Sequence, residues 1–364
     1  MKTKKKYLRY AIYALIIAIG IPVCVFSYYL IRHYQAYQYY HTFDSYRIHM
    51  SSGYFPDAID FHHDGKYITD VDILPLRNLM FLKYLDIGYI DISDDEFISA
   101  VARSGLRYLG ISNIPISDRG LSGLSKCYRL DELDIYDLPN LTGKSLMYIS
   151  QCHGINRLKI KGMRFKQGDL QYLKDMKNLH HLILWDCQFD SPETIDEFYT
   201  VLESTDLSLT LNSIHGLDEI FSDKVCLEKN SSVDLIKCDY LDKIFQNMKP
   251  LPKNFRLGIS DIDLKDCLLE TFPELLDGTL SLRNVKVTLN GIRSFLERQI
   301  ELRKERNDFC PLPVIECFNC EFSDDEELPK VFDTLKVFNE MEELKKVINE
   351  MERKYVRVVE ENKQ

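Results

Sequence analysis

The sequence predicts an α/β solenoid, with parallel strands lining a concave face, helices on the convex face and a transmembrane helix at the N-terminus. Three observations predict it. A strand-like apolar motif recurs in phase every 24 or 25 residues through the middle of the chain. Helix-like runs with capping residues at their starts lie between the recurrences. A stretch of 21 residues without a formal charge, 11–31, follows a basic N-terminus. The 364 residues carry 46 Lys and Arg against 56 Asp and Glu, a formal net charge of −10. Five of the cations (Lys2, Lys4, Lys5, Lys6 and Arg9) lie in the first nine residues, so the remainder stands at −15. Nucleic-acid binding needs a basic footprint that releases counterions, and this balance excludes it.

Residues 1–10 read as a basic cytoplasmic tail and 11–31 (AIYALIIAIGIPVCVFSYYLI) as a signal-anchor helix. At ~1.5 Å of rise per residue such a run crosses a hydrocarbon core of ~30 Å. Tyr7 and Tyr10 on one flank, and Tyr28 and Tyr29 on the other, suit the interfacial aromatic belt. A cleaved signal peptide is the competing reading, with Val25 to Ser27 as a weak site; the long apolar run and the lack of an A-x-A favour the anchor. The basic cluster precedes the span, which keeps the N-terminus cytoplasmic and places the remainder in a periplasmic, extracellular or lumenal space. Residues 32–54 form a juxtamembrane spacer, where Tyr34, Tyr37, Tyr39 and Tyr40 prolong the helix across the headgroups.

Residues 55–322 hold about eleven repeats. Leu82, Leu85, Ile87 and Ile90 recur as Leu106, Leu109, Ile111 and Ile114, then as Leu130, Leu133, Ile135 and Leu138. Ile155, Leu158, Ile160 and Met163 follow, and then Leu179, Leu182, Leu184 and Cys187. An earlier copy shows in Ile59 and Phe61. Beyond residue 204 the repeats are irregular, at Leu209/Leu211, Val233/Leu235, Leu257/Ile259, Leu280/Leu282 and Ile315/Cys317, with a step of about 35 residues into the last. Positions four and six of each motif share one face of a strand. The intervening runs open on capping residues: Ser93-Asp-Asp-Glu96, Ser117, Thr142 and Ser191. One strand and one helix cannot bury an apolar face alone, so neighbouring units stack.

With LxxLxLxx(N/C) at Leu179 to Cys187, Ile-Ser-Asp turns at Ile92 and Ile116, and Cys127 and Cys152 three residues before a repeat start, the chain resembles the leucine-rich repeat family. Within it, the resemblance is to the cysteine-containing, F-box-associated type. It covers residues 55 to 320. No F-box-like segment precedes the repeats, so an adaptor role in ubiquitin ligation is not implied.

Ten cysteines in an exported chain invite a disulfide framework. The repeat phase favours free, buried thiols, because Cys187, Cys238 and Cys320 share position nine and equivalent slots stack. The spacing of Cys310, Cys317 and Cys320 is a poor zinc signature with no nearby His, and repeat positions six and nine explain the last two. Asn140 and Asn230 match the glycosylation acceptor pattern at chance frequency.

Positions three, five and seven face the open side of the sheet. They supply the candidate partner-binding residues Tyr84, Asp86, Tyr108, Glu132, Asp134, Tyr136, Arg157, Lys159, Lys161, His181 and Trp185. Exposed aromatics flanked by charge are the composition of an interaction hot spot. The competing reading of the charges is that Glu132 and Asp134 neutralise Arg157 and Lys159. Later rows (Ser208, Thr210, Asn212; Arg256, Gly258, Ser260) are small and mixed. Nothing resembles a phosphate loop, a dinucleotide fingerprint, a nucleophile elbow or a zinc-protease helix. The expectation is a non-enzyme without cofactor or metal.

Residues 323–364 carry an apolar stripe from Leu328 to Val358 at helical spacing, a capping helix and tail. The expected function is a membrane-anchored protein that binds a protein partner through its concave face. The alternative is a structural scaffold that homo-oligomerises through its transmembrane and C-terminal helices.

Overall fold

A computed structural model describes residues 2–41, 48–50, 58–61, 72–79, 81–102, 105–214, 230–238, 251, 253–262, 272, 276–307, 310–318, 320–322 and 346–355, with only the backbone at 2–20, 41, 48–50 and 321–322. The chain divides into two compact units, residues 1–141 with 151–155, and residues 142–150 with 156–364.

In the first unit, helix α1 (Lys2–His41) leads to strands β1 (Ile48–Met50), β2 (Ala58–Phe61), β3 (Tyr84–Gly88), β4 (Tyr108–Ser112) and β5 (Glu132–Tyr136). β2 to β5 pair in parallel and in register, with Leu85, Leu109 and Leu133 in one row and Ile87, Ile111 and Ile135 in another. All six are at most 1% exposed, as the repeat pattern requires. Burying each such side chain contributes ~1.5–3 kcal/mol. The register of the candidate residues follows, since a one-residue slip would reverse both faces. β1 adds an antiparallel edge to β2, which no repeat signal announces.

The C-terminal end of α1 is docked on the first repeats rather than forming a spacer. His33, Ala36 and Tyr40 are buried, the Tyr40 hydroxyl donates to the Asp72 carbonyl at 2.8 Å, and the Asp72 N–H donates to Tyr39 Oη at 2.7 Å. Among the described residues no helix is long and apolar enough to cross a membrane. Of the predicted span, the side chains of 11–20 lie outside the described residues. The part of α1 that is described carries Arg32, His33, Gln35 and Gln38, which lower its hydropathy.

The second unit holds β6 (Arg157–Lys161), β7 (Arg164–Phe165), β8 (His181–Trp185), β9 (Gln188–Phe189), β10 (Ser208–Asn212), β11 (Ser232–Ile236), β12 (Phe255–Ser260), β13 (Gly278–Arg283), β14 (Lys286–Val287), β15 (Val314–Phe318) and β16 (Glu321–Phe322). β6, β8, β10, β11, β12, β13 and β15 form one parallel ladder in that order. The irregular repeats after residue 204 therefore keep the strand register, although four of their five first positions (Asp206, Asn230, Asn254 and Asp277) are polar. The long step before β15 accommodates an 18-residue helix, Leu289–Arg306.

Helical segments are shorter than the capping signals suggest. Two α-helices begin as expected: α2 (Asp94–Val101) has a full capping box between Ser93 and Glu96, and at the start of Pro192–Ser204 the Ser191 hydroxyl accepts the Thr194 N–H. Asp118–Lys126 and Leu170–Asp175 are 3-10 turns instead. A 3-10 turn rises ~2.0 Å per residue, so it spans the repeat with fewer residues. Gly120 and Gly123 let it lie against α2, where a Cβ on Gly120 would sit 2.8 Å from Asp94 Oδ1. Ser117 does not cap its own turn; its N–H and hydroxyl donate to the Asp94 carboxylate of the preceding repeat, at 2.8 and 2.5 Å.

Nine strands, β3 to β6, β8 and β10 to β13, leave through a residue in the left-handed region, at repeat position eight. Tyr89, Asn113 and Asp137 do so in the first unit, and Gly162, Asp186, Ser213, Lys237, Asp261 and Asn284 in the second, with φ from 48° to 74°. The amide of this residue donates to the position-seven carbonyl of the next strand, as Tyr89 to Ser112 at 3.1 Å and Lys237 to Ser260 at 3.0 Å.

Residues 323–345 of the predicted C-terminal helix lie outside the described residues; 346–355 are helical. This helix packs within the second unit against Leu289–Arg306. Val347 and Met351 are buried, and ion pairs join Arg293 to Glu350 and Lys354 to Glu297, both at 2.8 Å. Arg303 is fully buried there, and its guanidinium donates to the carbonyls of Leu276, Gln299, Cys310 and Pro311.

Candidate functional site

The structure collects six of the eleven candidate residues on the open face of the first unit. Tyr84, Tyr108 and Glu132 form one row, Asp86, Gly110 and Asp134 the next, and Gly88, Ser112 and Tyr136 the third. Gly110 is the centre of this array, a residue that the pattern of charged and aromatic side chains did not mark. A Cβ there would lie 2.8 Å from Asp86 Cγ, so the Asp86 carboxylate leans over the glycine. Tyr84 is 47% exposed and its ring lies 6.5 Å from that of Tyr108, tilted by 32°.

Asp134 departs from the expected exposed contact residue. It is only 7% exposed, its Oδ2 accepts the Tyr136 hydroxyl at 2.7 Å, and its Oδ1 is buried without a hydrogen-bond partner. The tyrosines beside it cover it. Burial, reinforced by the carboxylates of Asp134, Asp86 and Glu132, pushes the Tyr108 hydroxyl well above the usual phenol range. Burial and the hydrogen bond to Asp134 do the same for Tyr136. Both remain neutral donors at physiological pH.

The other five candidates lie together on the open face of the second unit. Arg157 is opposite His181, and Lys161 opposite Trp185. The ammonium groups of Lys159 and Lys161 sit 5.3 and 5.1 Å from the centre of the Trp185 indole, which is half-buried beneath them. Such contacts contribute ~0.5–1 kcal/mol each at an exposed site and hold the lysines over the ring. The result is a cationic surface with an aromatic floor in a chain of acidic balance.

A third cluster went unmarked in the later rows. Asp234 on β11 lies against Gly258 on β12, the same two repeat positions as Asp86 and Gly110. Burial raises the Asp234 carboxyl, and the guanidiniums of Arg256 and Arg283 oppose that rise. The Arg256 guanidinium also donates to Ser281 Oγ at 3.1 Å.

The cysteines occupy the repeat slots expected of them. Cys187 donates to the carbonyls of Ile160 and Trp185, and Cys238 to those of Leu211 and Ile236. Cys320 does the same with Leu282 and Phe318. The position-nine thiol thus joins the position-six carbonyl of the preceding repeat to its own position-seven carbonyl. Eight cysteines are free thiols; Cys226 and Cys267 lie outside the described residues. Among the described residues no group of three or more His, Cys, Asp or Glu is placed to hold a metal ion. Asn230 is buried, which removes it as a glycosylation acceptor in the folded chain.

No family model matches the chain. Among solved structures, an internalin (inlF) from Listeria monocytogenes is 14% identical, over 74% of this chain and 82% of that one, with a TM-score of 0.34. The PEPR1–AtPEP1 crystal structure is 12% identical, over 77% of this chain and 51% of that one, with a TM-score of 0.28. At such scores the architecture rests on the ladder itself. Each unit is a run of α/β repeats, with one parallel strand per repeat and the leucine and isoleucine positions turned inward.

Proposed function

We propose that the chain is a non-catalytic leucine-rich repeat protein that binds a protein partner on the open face of its sheet, and that its N-terminal helix holds it at a membrane. One observation carries the binding reading: outward strand positions bear Tyr84, Tyr108, Tyr136 and a lysine-covered Trp185. Aromatic side chains with charged neighbours are the groups that dominate interface energies. Membrane attachment is supported by the uncharged run 11–31 behind five cations, with an N-terminus in the cytoplasm and the repeats outside it. The likeness to the cysteine-containing repeat class belongs to the same proposal, supported by the thiol-to-carbonyl links at position nine.

Replacing Tyr136, Lys159 and Trp185 together by Ala should abolish cross-linking to the partner in intact cells while thermal unfolding stays unchanged. Retention of the cross-link would overturn the binding reading. Protease protection of a C-terminal tag tests the topology, since cleavage in intact cells is expected and cleavage only after permeabilisation would reverse it. The scaffold alternative relies on a C-terminal helix with an available face. Helix 346–355 instead spends Val347, Met351 and Tyr355 within its own chain, so truncation at residue 323 should cost stability rather than assembly.

A further inference from the structure

We propose that the repeats of the first unit rest on the lipid surface itself: α1 leaves the hydrocarbon core at Ile31 and passes without a spacer into the first repeats, so that Phe81 lies in the headgroup layer. This rests on the membrane reading and adds to it a lipid contact made by the repeats.

Helix α1 changes character at His33. Before it, Ile21, Val23, Val25, Phe26, Tyr29 and Ile31 are each between 48% and 59% exposed. At ~100° per residue they point in six directions around the axis, with no gap wider than ~80°. A helix that is apolar all round belongs in a membrane or a protein core, and these residues are in no core of this chain. A second copy of the helix would cover one stripe, whereas lipid covers every side. From His33 onward the helix is one-sided. His33, Ala36 and Tyr40 are buried on the first repeats, while Tyr34, Gln35 and Gln38 are exposed. The helix runs unbroken through this change, as Lys2–His41, and the Tyr40 hydroxyl fixes its end to the Asp72 carbonyl.

Helix geometry then sets the height of the repeats. With the uncharged run 11–31 as the span, its 21 residues rise ~31 Å, the thickness of the hydrocarbon core. His33 stands ~3 Å beyond its end, and the headgroup layer is ~5–7 Å deep on each side. Phe81, in the turn before β3, meets the His33 ring edge-on at 5.7 Å between centres and is 44% exposed. Phe26, Tyr29 and His33 share one stripe of the helix, so Phe81 is in line with the exposed aromatics of the span. Helical side chains lean toward the N-terminus, which brings the His33 imidazole, and Phe81 with it, toward the bilayer. Any tilt of the span lowers them further. Arg32, with its guanidinium 5.8 Å from the centre of the Tyr28 ring, lies at the level of the lipid phosphates. Because α1 is continuous, the repeats cannot lift away without bending the helix or undocking Tyr40. The open face of the first unit is therefore held at a fixed angle to the membrane.

The test is tryptophan fluorescence of the full-length chain in nanodiscs, with Phe81→Trp in a Trp185→Phe background so that a single indole is present. In phosphatidylcholine brominated near the top of its acyl chains the emission should fall at least twofold against unbrominated lipid. Bromine at the chain ends should quench it less. Inserting Gly-Ser-Gly-Ser between Ile31 and Arg32 uncouples the repeats from the span, and should remove the quenching while the chain stays in the bilayer. Equal emission in brominated and unbrominated lipid, strongest quenching from the chain ends, or quenching that survives the insertion would each overturn the proposal. Blue-shifted but unquenched emission would overturn it too, because a second copy rather than lipid would then cover Phe81. Release of the chain from membranes by alkaline carbonate would overturn the membrane reading itself. Retention in the membrane with unquenched Phe81→Trp would leave that reading standing and remove the lipid contact of the repeats.

Discussion

The thiol of Cys152 donates to the backbone carbonyl of Cys127 at 3.2 Å, and the Cys127 thiol in turn donates to the Val101 carbonyl at 3.3 Å. Each cysteine thereby ties its own repeat to the one before. A thiol suits this slot because it is small enough to be buried and still donates a weak hydrogen bond, to the helix-terminal carbonyl of Val101 in one repeat and, beside the Leu130 N–H, to the Cys127 carbonyl in the next.

Burial raises the Cys152 thiol to about 12 and the Cys187 thiol to about 11, from an ordinary value near 9. Folded thiols then keep their protons at a pH where unfolded ones lose them. Their contribution to stability is full below pH 9 and declines as pH rises toward 11–12. Urea midpoints measured at pH 8 and at pH 10.5 should differ, the alkaline one lower. Iodoacetamide should leave Cys127, Cys152, Cys187 and Cys238 unlabelled until denaturant is added, as mass spectrometry of the digest would show.

Position eight is left-handed in each of the nine repeats where it is described, and Lys237 holds it with φ 49°. A side chain there costs ~1–2 kcal/mol, partly offset by the extra unfolded-state entropy of glycine. Lys237→Gly should therefore raise stability by about 0.5–1 kcal/mol. Gly162→Val, at φ 74°, should lower it by at least ~1 kcal/mol. Chemical denaturation of the two variants reads opposite signs.

Arg303 is satisfied entirely by backbone carbonyls and the Gln299 side chain, with the Tyr355 ring 5.9 Å from its guanidinium carbon. Arg303→Met strands those carbonyls and should destabilise the second unit by about 3 kcal/mol or more. Arg303→Lys cannot reach all of them and should recover little. Hydrogen exchange at 346–355 should accelerate in both.

The capping box of α2 predicts a smaller effect. Ser93→Ala removes the acceptor for the Glu96 amide and should cost ~1 kcal/mol. Hydrogen bonds from the Ser93 amide and hydroxyl lower the Glu96 carboxyl below its ordinary range. The stability it contributes is present above the unfolded carboxyl's pKa and is lost as pH falls through the folded one. Wild type should therefore lose more stability than Ser93→Ala between pH 5 and pH 3.

The strand register was legible because leucine and isoleucine at positions four and six repeat with a fixed step, and burial leaves a one-residue slip no alternative. The outward identity of Tyr84, Asp86, Tyr108, Tyr136, Lys159 and Trp185 followed from the same alternation. The 3-10 turns were not legible, since Ser117 reads as a helix cap and its hydroxyl goes to Asp94 of another repeat. Nor was the role of Gly110, because an absent side chain carries no chemical signature until its neighbours are known.

Sequence periodicity by itself determined the repeat architecture, which strand residues face inward and which thiols share a slot, because these depend only on order along the chain. Tertiary structure alone decided that Asp134 is buried with an unbonded oxygen, that Asp86 covers Gly110, and that Arg303 is completed by carbonyls. Each of those depends on residues more than twenty positions apart, or on loops without periodicity, meeting at hydrogen-bond distance.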